Sequence, residues 1–229
     1  MTNRFTVSID GPTASGKSSL GVGLARKFDA IFLDTGLTFR ALAYCLASGE
    51  LDESDSWRSI VGHAPLSFSR AGLGFSRADL VQGAIVTKEI ITVKGVDVTE
   101  EIWGFDVDNK LDVIASDPMR RTEILSFHRE LIAAYPRAVV AGRDVGTALL
   151  PQASLHVFLT ANFAVRRERR RAQHRADPAR SVVVGSITRR DVATLEQLRG
   201  KANTVVVDTT YLPKAAVLAF VGSQLIGAI

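Results

Sequence analysis

Apolar and polar residues follow two different periods along the first fifty positions. Residues 5–10 (Phe-Thr-Val-Ser-Ile-Asp) alternate with a period of two and include β-branched side chains, which predicts a strand. After a glycine-rich stretch, residues 18–28 carry apolar side chains at helical spacing. A second apolar run at 30–33 precedes a predicted helix over about 38–47. This order predicts the beginning of a parallel α/β unit.

The pattern changes between residues 66 and 98, where short apolar pieces are separated by glycine-containing turns. We predict strands at 66–68, 73–75 and 90–93, which would form a small antiparallel insertion. Two helices are predicted next, over about 103–115 and 119–135. The Asp-Pro pair at 117–118 has the residues preferred at the N-cap and first position of the second helix.

Three later apolar runs, at 138–141, 155–159 and 204–208, predict buried parallel strands. Together with the two earlier runs they give five strands that alternate with helices. The predicted fold is therefore α/β, with a five-stranded parallel sheet whose ligands bind at the carboxyl ends of the strands.

Length and composition describe an ordinary globular chain and exclude disorder and a coiled coil, with 229 residues of which 46% are apolar and 23% charged. A single cysteine, Cys45, excludes a disulfide framework and fits a reducing compartment. The first apolar run is too short for a signal peptide, and no segment approaches the ~18 apolar residues of a membrane span. We expect a cytoplasmic protein with no membrane partner.

Positive charge is concentrated in one block. The chain has 28 Lys and Arg against 24 Asp and Glu, and nine arginines lie between Arg166 and Arg190. Charge alone leaves a nucleic acid, a membrane surface, a polyphosphate or a solvated face open. No aromatic residues interleave the arginines to stack bases, so we expect no nucleic-acid partner. Because the Asp-Pro pair at 177–178 would break a long helix, the block predicts a helical excursion over the surface.

Residues 11–18 match the pattern G-x-x-x-x-G-K-[ST] in full, between a predicted strand and a predicted helix. In such a loop the backbone N–H groups and the helix N-terminus bind the β- and γ-phosphates. Lys17 would add a charge, and Ser18 a hydroxyl ligand for Mg²⁺. The predicted ATP-binding residues here are Gly11, Pro12, Thr13, Ala14, Ser15, Gly16, Lys17, Ser18 and Ser19.

Motors, switches and kinases all share this loop, so the acceptor must be inferred from other residues. A GTPase would carry Asn-Lys-x-Asp on a late strand, where this chain has Asp208-Thr209-Thr210. A motor ATPase would carry an acidic pair after an apolar strand, but residues 155–159 are followed by Thr160-Ala161. Small size and the arginine block favour a small-molecule kinase, whose arginines close over the transferring group.

Five stretches resemble the bacterial cytidylate kinase family, in the family's order and spacing. They are residues 9–12, 33–36 with Phe39-Arg40, 95–102 (Gly-Val-Asp-Val-Thr-Glu-Glu-Ile), 142–147 (Gly-Arg-Asp-Val-Gly-Thr) and 157–161. The resemblance covers nearly the whole chain and implies a P-loop nucleoside monophosphate kinase fold with a helical lid. It implies a single kinase unit, with a core at 1–62, 136–165 and 192–229, a monophosphate-binding insertion at 63–135 and a lid at 166–191.

The resemblance also implies ATP- and Mg²⁺-dependent transfer of the γ-phosphoryl group to CMP, dCMP or a close pyrimidine nucleotide. The family's acceptor-binding positions are occupied by Thr35, Arg40, Asp112, Arg121, Arg143, Asp144 and Arg190. Its catalytic cations would be Lys17, Arg143, Arg166 and Arg170, and its adenine loop would contain Asp208 and Thr209. Each arginine has the alternative of a solvated surface charge, and Thr35 that of a turn residue. Asp34 either holds a water of the Mg²⁺ ion beside Ser18 or serves as a helix cap or turn residue.

Departures from the family pattern leave the acceptor open. The family's lid returns with Arg-Asp-x-x-Asp-x-x-Arg, but Arg190-Asp191 is followed here by Thr194 and Gln197. Asp112 replaces a serine of the family, and Trp103 replaces an arginine. A modified nucleotide or a small molecule of specialised metabolism is the alternative acceptor. A nucleotide-binding protein with little turnover is a weaker alternative, and we expect a monomer.

Overall fold

A computed structural model describes residues 4–50, 66–69, 90–93, 96–173 and 188–229, and it places five parallel strands in one sheet. The strands are β1 (Phe5–Asp10), β2 (Ile31–Asp34), β6 (Arg137–Ala141), β7 (Leu155–Thr160) and β8 (Thr204–Asp208). Their order across the sheet is β2-β6-β1-β7-β8, so β1 is central and β8 is an edge strand. The predicted five-stranded parallel sheet is confirmed.

The register brings the carboxyl ends of the five strands to one edge. Asp34 is opposite Ala141, Asp10 is opposite Phe158, and Thr160 is opposite Asp208. Parallel α/β sheets bind ligands at this edge. The sheet therefore places Asp10, Asp34 and Asp208 on the same side as the loop that follows β1.

The described helices are α1 (Lys17–Phe28), α2 (Thr35–Ala47), α3 (Phe105–Ser116), α4 (Pro118–Ala133), α5 (Phe163–Gln173), α6 (Arg189–Arg199) and α7 (Lys214–Ala228). A 3₁₀ turn spans Glu101–Trp103, and a π-helical turn spans Val145–Leu149. None of the helices in the described ranges is long and apolar enough to cross a membrane.

The described residues divide into two compact units. The first contains residues 4–35, 131–173 and 188–229 and holds the parallel sheet. Its core packs α1 and α7 against the sheet through side chains such as Ile9, Leu24, Val139, Val157 and Val221, each with 0% exposure. The burial of these apolar side chains stabilises the sheet, which positions the loops at its edge.

The second unit contains residues 36–50, 66–69, 90–93 and 96–130. It has an antiparallel sheet of β3 (Leu66–Ser69), β4 (Ile90–Val93) and β5 (Val96–Asp97). The strand predicted at 73–75 lies outside the described residues. A separate apolar core joins α2, α3, α4 and the 3₁₀ turn, and Cys45 is buried in it. The division into core, insertion and lid made from the sequence stays a prediction.

Element boundaries differ from the expected ones by up to three residues. Helix α2 begins at Thr35 rather than at 38, and α3 begins at Phe105 rather than at 103. The 3₁₀ turn ends at Trp103, and Gly104, whose backbone is extended, separates it from α3. The predicted cap of α4 is present, because Asp117 Oδ1 accepts hydrogen bonds from the N–H groups of Met119 and Arg120 at 2.9 and 3.2 Å.

Candidate phosphate-binding site

The loop between β1 and α1 is tightly wound. Gly11 has φ +138°, and a Cβ there would lie 2.1 Å from the Leu159 carbonyl oxygen. Gly16, with φ +106°, occupies the N-cap position of α1. These conformations are costly for any residue with a side chain. The two glycines thus let the backbone turn and lead directly into a helix N-terminus, which favours anions.

Lys17 lies across this loop. Its Nζ donates hydrogen bonds to the carbonyl oxygens of Gly11 and Pro12, at 2.7 and 2.9 Å. Desolvation lowers the pKa of Lys17 to about 8, and the charge of Arg143 acts in the same direction while Asp34 opposes it. A partly desolvated ammonium group has a strong electrostatic attraction to phosphate oxygens.

Ser18 and Asp34 place two oxygen ligands side by side. Ser18 Oγ donates a 2.7 Å hydrogen bond to Asp34 Oδ2. A hydroxyl and a carboxylate are hard oxygen donors, which suit Mg²⁺, and this ion keeps several of its waters and needs few protein ligands. The pair therefore fits the Mg²⁺ site expected from the sequence. Asp34 also ends β2 immediately before α2, so both of its expected positions are compatible with the structure.

The Asp10 carboxylate binds the backbone of the loop that follows β6. Its side chain is 0% exposed, and its two oxygens accept hydrogen bonds from Val145 N at 2.6 Å and Gly146 N at 2.9 Å. Burial raises the pKa of Asp10 to about 6, although the two N–H groups act to lower it. A Cβ on Gly146 would lie 2.6 Å from both Ser8 Oγ and His156 Nδ1, so only glycine permits this close approach.

The same loop carries Arg143 and Asp144, and each contacts the start of α6. Arg143 Nη2 donates to Thr13 Oγ1 at 2.9 Å, and its Nη1 lies 3.6 Å from Asp191 Oδ2. Arg190 Nη2 donates to Asp144 Oδ2 at 2.7 Å. The loop after β6 and the start of α6 are therefore joined by two ion pairs. In one the loop supplies the arginine, and in the other it supplies the aspartate. Arg143 joins this arrangement to the phosphate loop.

Arg166 and Arg170, on α5, are buried at 1% and 7% exposure. Arg166 Nε donates to the Ala161 carbonyl oxygen at 3.1 Å, and Nη1 donates to the Thr13 carbonyl oxygen at 3.3 Å. Burial lowers the pKa of Arg166, while Asp191 acts to raise it. The alternative of a solvated surface charge is wrong for both residues.

The loop after β8 is tied to the phosphate loop through Thr209. Arg169 donates to Thr209 Oγ1 at 2.9 Å and to the Thr209 carbonyl oxygen at 2.6 Å. Thr209 Oγ1 in turn donates to the Ser15 carbonyl oxygen at 2.9 Å. A cavity of about 660 Å³ opens beside these residues, at the carboxyl ends of β7 and β8. Its lining includes Asn162, Phe163, Arg166, Asp208, Thr210 and Tyr211.

Thr35 is the first residue of α2 rather than a turn residue. Its hydroxyl donates to the Ala141 carbonyl oxygen at 3.0 Å, which links the start of α2 to the end of β6. The side chain is 7% exposed. Thr35 therefore has a structural hydrogen bond at the sheet edge in addition to its expected role toward an acceptor.

Three of the expected acceptor residues lie in the second unit. Arg40 Nη1 donates to the Ile102 carbonyl oxygen at 3.0 Å and lies 2.8 Å from Asp108 Oδ1, and its guanidinium lies 4.3 Å from the centre of the Trp103 ring. Arg121 Nη1 donates to the Ala115 carbonyl oxygen at 3.4 Å. Asp112 is exposed on α3.

Three functional positions were missed from the sequence or given too small a role. The sequence assigns no role to Asp10 or Asp191, and it indicates Arg169 only as one of the nine arginines between Arg166 and Arg190. A carboxylate at the end of an apolar strand is a visible signal for Asp10. The capping-box spacing of Thr188 and Asp191 is a visible signal for the start of α6, but no sequence signal pairs Asp191 with Arg143.

Comparison with known proteins identifies the family. The family model described as Cytidylate kinase matches residues 7–225. A protein named cytidylate kinase from Rhodococcus jostii is 33% identical over 92% of this chain and 90% of its own length. The cytidylate kinase of Mycolicibacterium paratuberculosis is 32% identical over 95% of this chain and 93% of its own length. That of Streptococcus pneumoniae is 34% identical over 72% of this chain and 68% of its own length.

Proposed function

This chain belongs to the cytidylate kinase family and is a phosphotransferase, and we propose that it transfers the γ-phosphoryl group of ATP to the phosphate of CMP or dCMP. The donor, the magnesium ion and the choice of CMP and dCMP are parts of this proposal. The observation that carries it is the convergence of Lys17, Arg143 and Arg166 on the loop of residues 11–13.

The phosphate loop binds the donor. Backbone N–H groups around Gly16 and the N-terminus of α1 receive the β- and γ-phosphates, and Lys17 moves its hydrogen bonds from the Gly11 and Pro12 carbonyl oxygens to phosphate oxygens. The cavity beside Asp208 and Tyr211 accommodates the nucleoside. Arg169 holds this cavity's loop in place through Thr209.

Ser18 and Asp34 are the residues that would hold Mg²⁺, directly or through its waters. The ion would supply positive charge that neutralises the phosphate oxygens. The contribution of this chain is the Ser18–Asp34 oxygen pair, fixed by its 2.7 Å hydrogen bond.

No general base is required, because phosphoryl transfer passes through a loose transition state that is stabilised mainly by positioning and charge. Arg143 contacts Thr13 of the phosphate loop, so it is placed to neutralise charge on the group in transfer. Arg166 supports the same loop from the side of α5. Arg170 is the third arginine that we assign to this step.

On the acceptor side we assign the phosphate to Thr35, Arg40 and Arg143, since a guanidinium can bind two phosphate oxygens at once. Asp144 is assigned to the amino group of the cytosine, with Arg190 orienting its carboxylate through their 2.7 Å ion pair. Arg121 is assigned to the edge of the pyrimidine ring.

A second acceptor class is favoured by the surroundings of Arg40. Its ion pair with Asp108 gives this arginine a fixed counter-ion, and Trp103 covers one face of its guanidinium. Thr194 is 3% exposed and Gln197 is exposed, at the two positions where the family carries charged lid residues. A modified pyrimidine nucleotide is the acceptor class that fits these altered positions.

This alternative predicts that Asp112→Ser raises the turnover of CMP and lowers that of the modified acceptor. No change in either turnover would exclude the alternative.

The proposal is tested by measuring ADP release from ATP and Mg²⁺ with CMP, dCMP, UMP, AMP, GMP and the matching nucleosides, with each product identified by mass spectrometry. We expect turnover confined to CMP and dCMP, with CDP and dCDP as products. Lys17→Ala is the control that removes the donor contact. Tight ATP binding without turnover of any of these acceptors would contradict the proposal.

A further inference from the structure

Asp191 is a fully buried carboxylate at the start of α6, with 0% exposure. Its Oδ2 accepts hydrogen bonds from Thr188 N at 2.9 Å and Thr188 Oγ1 at 2.7 Å. Asp191 N donates to the Thr188 hydroxyl at 3.1 Å, which completes a capping box. One of the two oxygens of Asp191 is therefore sufficient for the cap.

The capping box does not account for the burial of the second oxygen of Asp191, Oδ1. Among the described residues, Oδ1 is buried and has no hydrogen-bond partner. A charge held in such a place is costly unless cations compensate for it. The cations are those of the phosphate site. Arg143 Nη1 lies 3.6 Å from Oδ2, and the charge of Asp191 acts to raise the pKa of both Lys17 and Arg166.

We propose that Asp191 is a positioning residue, the buried counter-ion that holds Arg143 beside Thr13 of the phosphate loop. Without a negative charge nearby, the side chains of Lys17, Arg143 and Arg166 repel one another. Asp191 compensates for this repulsion and fixes the direction of Arg143, because Thr13 holds the Arg143 side chain and Thr188 holds the Asp191 side chain. The role in turnover rests on the proposed phosphoryl transfer.

Asp191→Asn tests this role, because asparagine keeps the shape and one oxygen for Thr188 but has no charge. We expect kcat with the best acceptor to fall at least tenfold. We expect ATP to bind no more weakly than to the wild type, because a negative charge near the phosphates has been removed. A variant with unchanged kcat, or with ATP affinity reduced as much as kcat, would overturn the proposal.

Thr188→Ala is the matched structural control, because it removes the capping hydroxyl and leaves the charge. Asp191→Glu keeps both the charge and a side chain suited to this position of a capping box, so it should retain most of the wild-type kcat. If Thr188→Ala reproduces the effects of Asp191→Asn, the role is only structural and the proposal is wrong.

Unfolding equilibria separate this proposal from the proposed function, since no acceptor is needed. A stability effect of the Arg143–Asp191 pair would support the role of Asp191 even if no nucleotide of the panel were an acceptor.

Arg143→Gln supplies a reciprocal measurement if Asp191→Asn does not fold. It leaves the buried Asp191 without its nearest cation, so the unfolding equilibrium should shift at least tenfold toward the unfolded state. Arg190→Gln removes the neighbouring pair with Asp144 and leaves Asp191 and Arg143 in place. Equal shifts in these two variants would overturn the proposal.

Discussion

Asp10 and Gly146 are joined by a 2.9 Å hydrogen bond from the backbone N–H to the buried carboxylate. The residues it joins are far apart in the chain, and the contact brings the loop carrying Arg143 to the end of the central strand. The position of Arg143 beside the phosphate loop thus depends on a titratable group as well as on the sheet.

This buried carboxylate should make stability depend on pH. Burial raises the pKa of Asp10 from its ordinary value of 3.8 to about 6, so its contribution to stability is complete below about pH 4 and is lost as the pH rises through 6. Relative to Asp10→Asn, the wild type should lose on the order of 3 kcal/mol of unfolding free energy between pH 4 and 7. Denaturant titrations of both proteins at several pH values measure this difference. Parallel pH profiles would contradict the assignment.

Lys17 should couple ATP binding to proton uptake. With a folded pKa of about 8, it is partly deprotonated at pH 8, and phosphate binding restores its proton. We expect uptake of roughly half a proton per ATP at pH 8 and weaker binding as the pH rises further. Calorimetry in two buffers of different ionisation enthalpy gives the number of protons. Lys17→Arg stays charged, so equal uptake in that variant would assign the proton to another group.

Arg143→Ala should reduce kcat/KM by about a hundredfold, because it removes a charge placed against the phosphate loop. Arg137→Ala is a suitable control. Arg137 is also paired with an aspartate, Asp29, but that contact is more exposed. Steady-state kinetics with the best acceptor compare the two variants. Similar kcat/KM values for Arg143→Ala and the wild type would show that the assigned phosphate contact is wrong.

Trp103→Leu should raise the KM for the acceptor and leave the KM for ATP nearly unchanged. The indole ring lies over the Arg40 guanidinium, and such contacts contribute ~0.5–2 kcal/mol, which corresponds to a roughly 2- to 30-fold change. Trp103→Phe should recover most of the loss. Phe105→Leu, an exposed aromatic two residues away, is the control and should have no effect. Equal effects of Trp103→Leu and Phe105→Leu would remove Trp103 from the acceptor site.

Much of the fold follows from local sequence patterns. The β-branched apolar runs give the five parallel strands, and the glycines and lysine of residues 11–18 give the phosphate loop, since both signals lie within a few residues. Asp117 also caps α4 as its position before Pro118 predicts. These features depend on neighbouring residues alone.

The features that could not be predicted join distant parts of the chain. Asp10 accepts a hydrogen bond from Val145, which is 135 positions away in the chain, and Arg190 donates to Asp144, which is 46 positions away. The sequence around Arg166 is the same as that expected for a solvated arginine. Only the structure shows that Arg166 is buried and contacts the Thr13 carbonyl oxygen. Helix α2 begins earlier than expected because Thr35 reaches back to Ala141, which no local pattern indicates.

The central claim is most directly tested by following the label from [γ-³²P]ATP in a single turnover with CMP, with wild-type protein and Lys17→Ala side by side. We predict that the label appears in CDP with the wild type and that its transfer is reduced by about a hundredfold or more in the variant. Label released only as inorganic phosphate, or equal transfer by both proteins, would contradict phosphoryl transfer to CMP at this site.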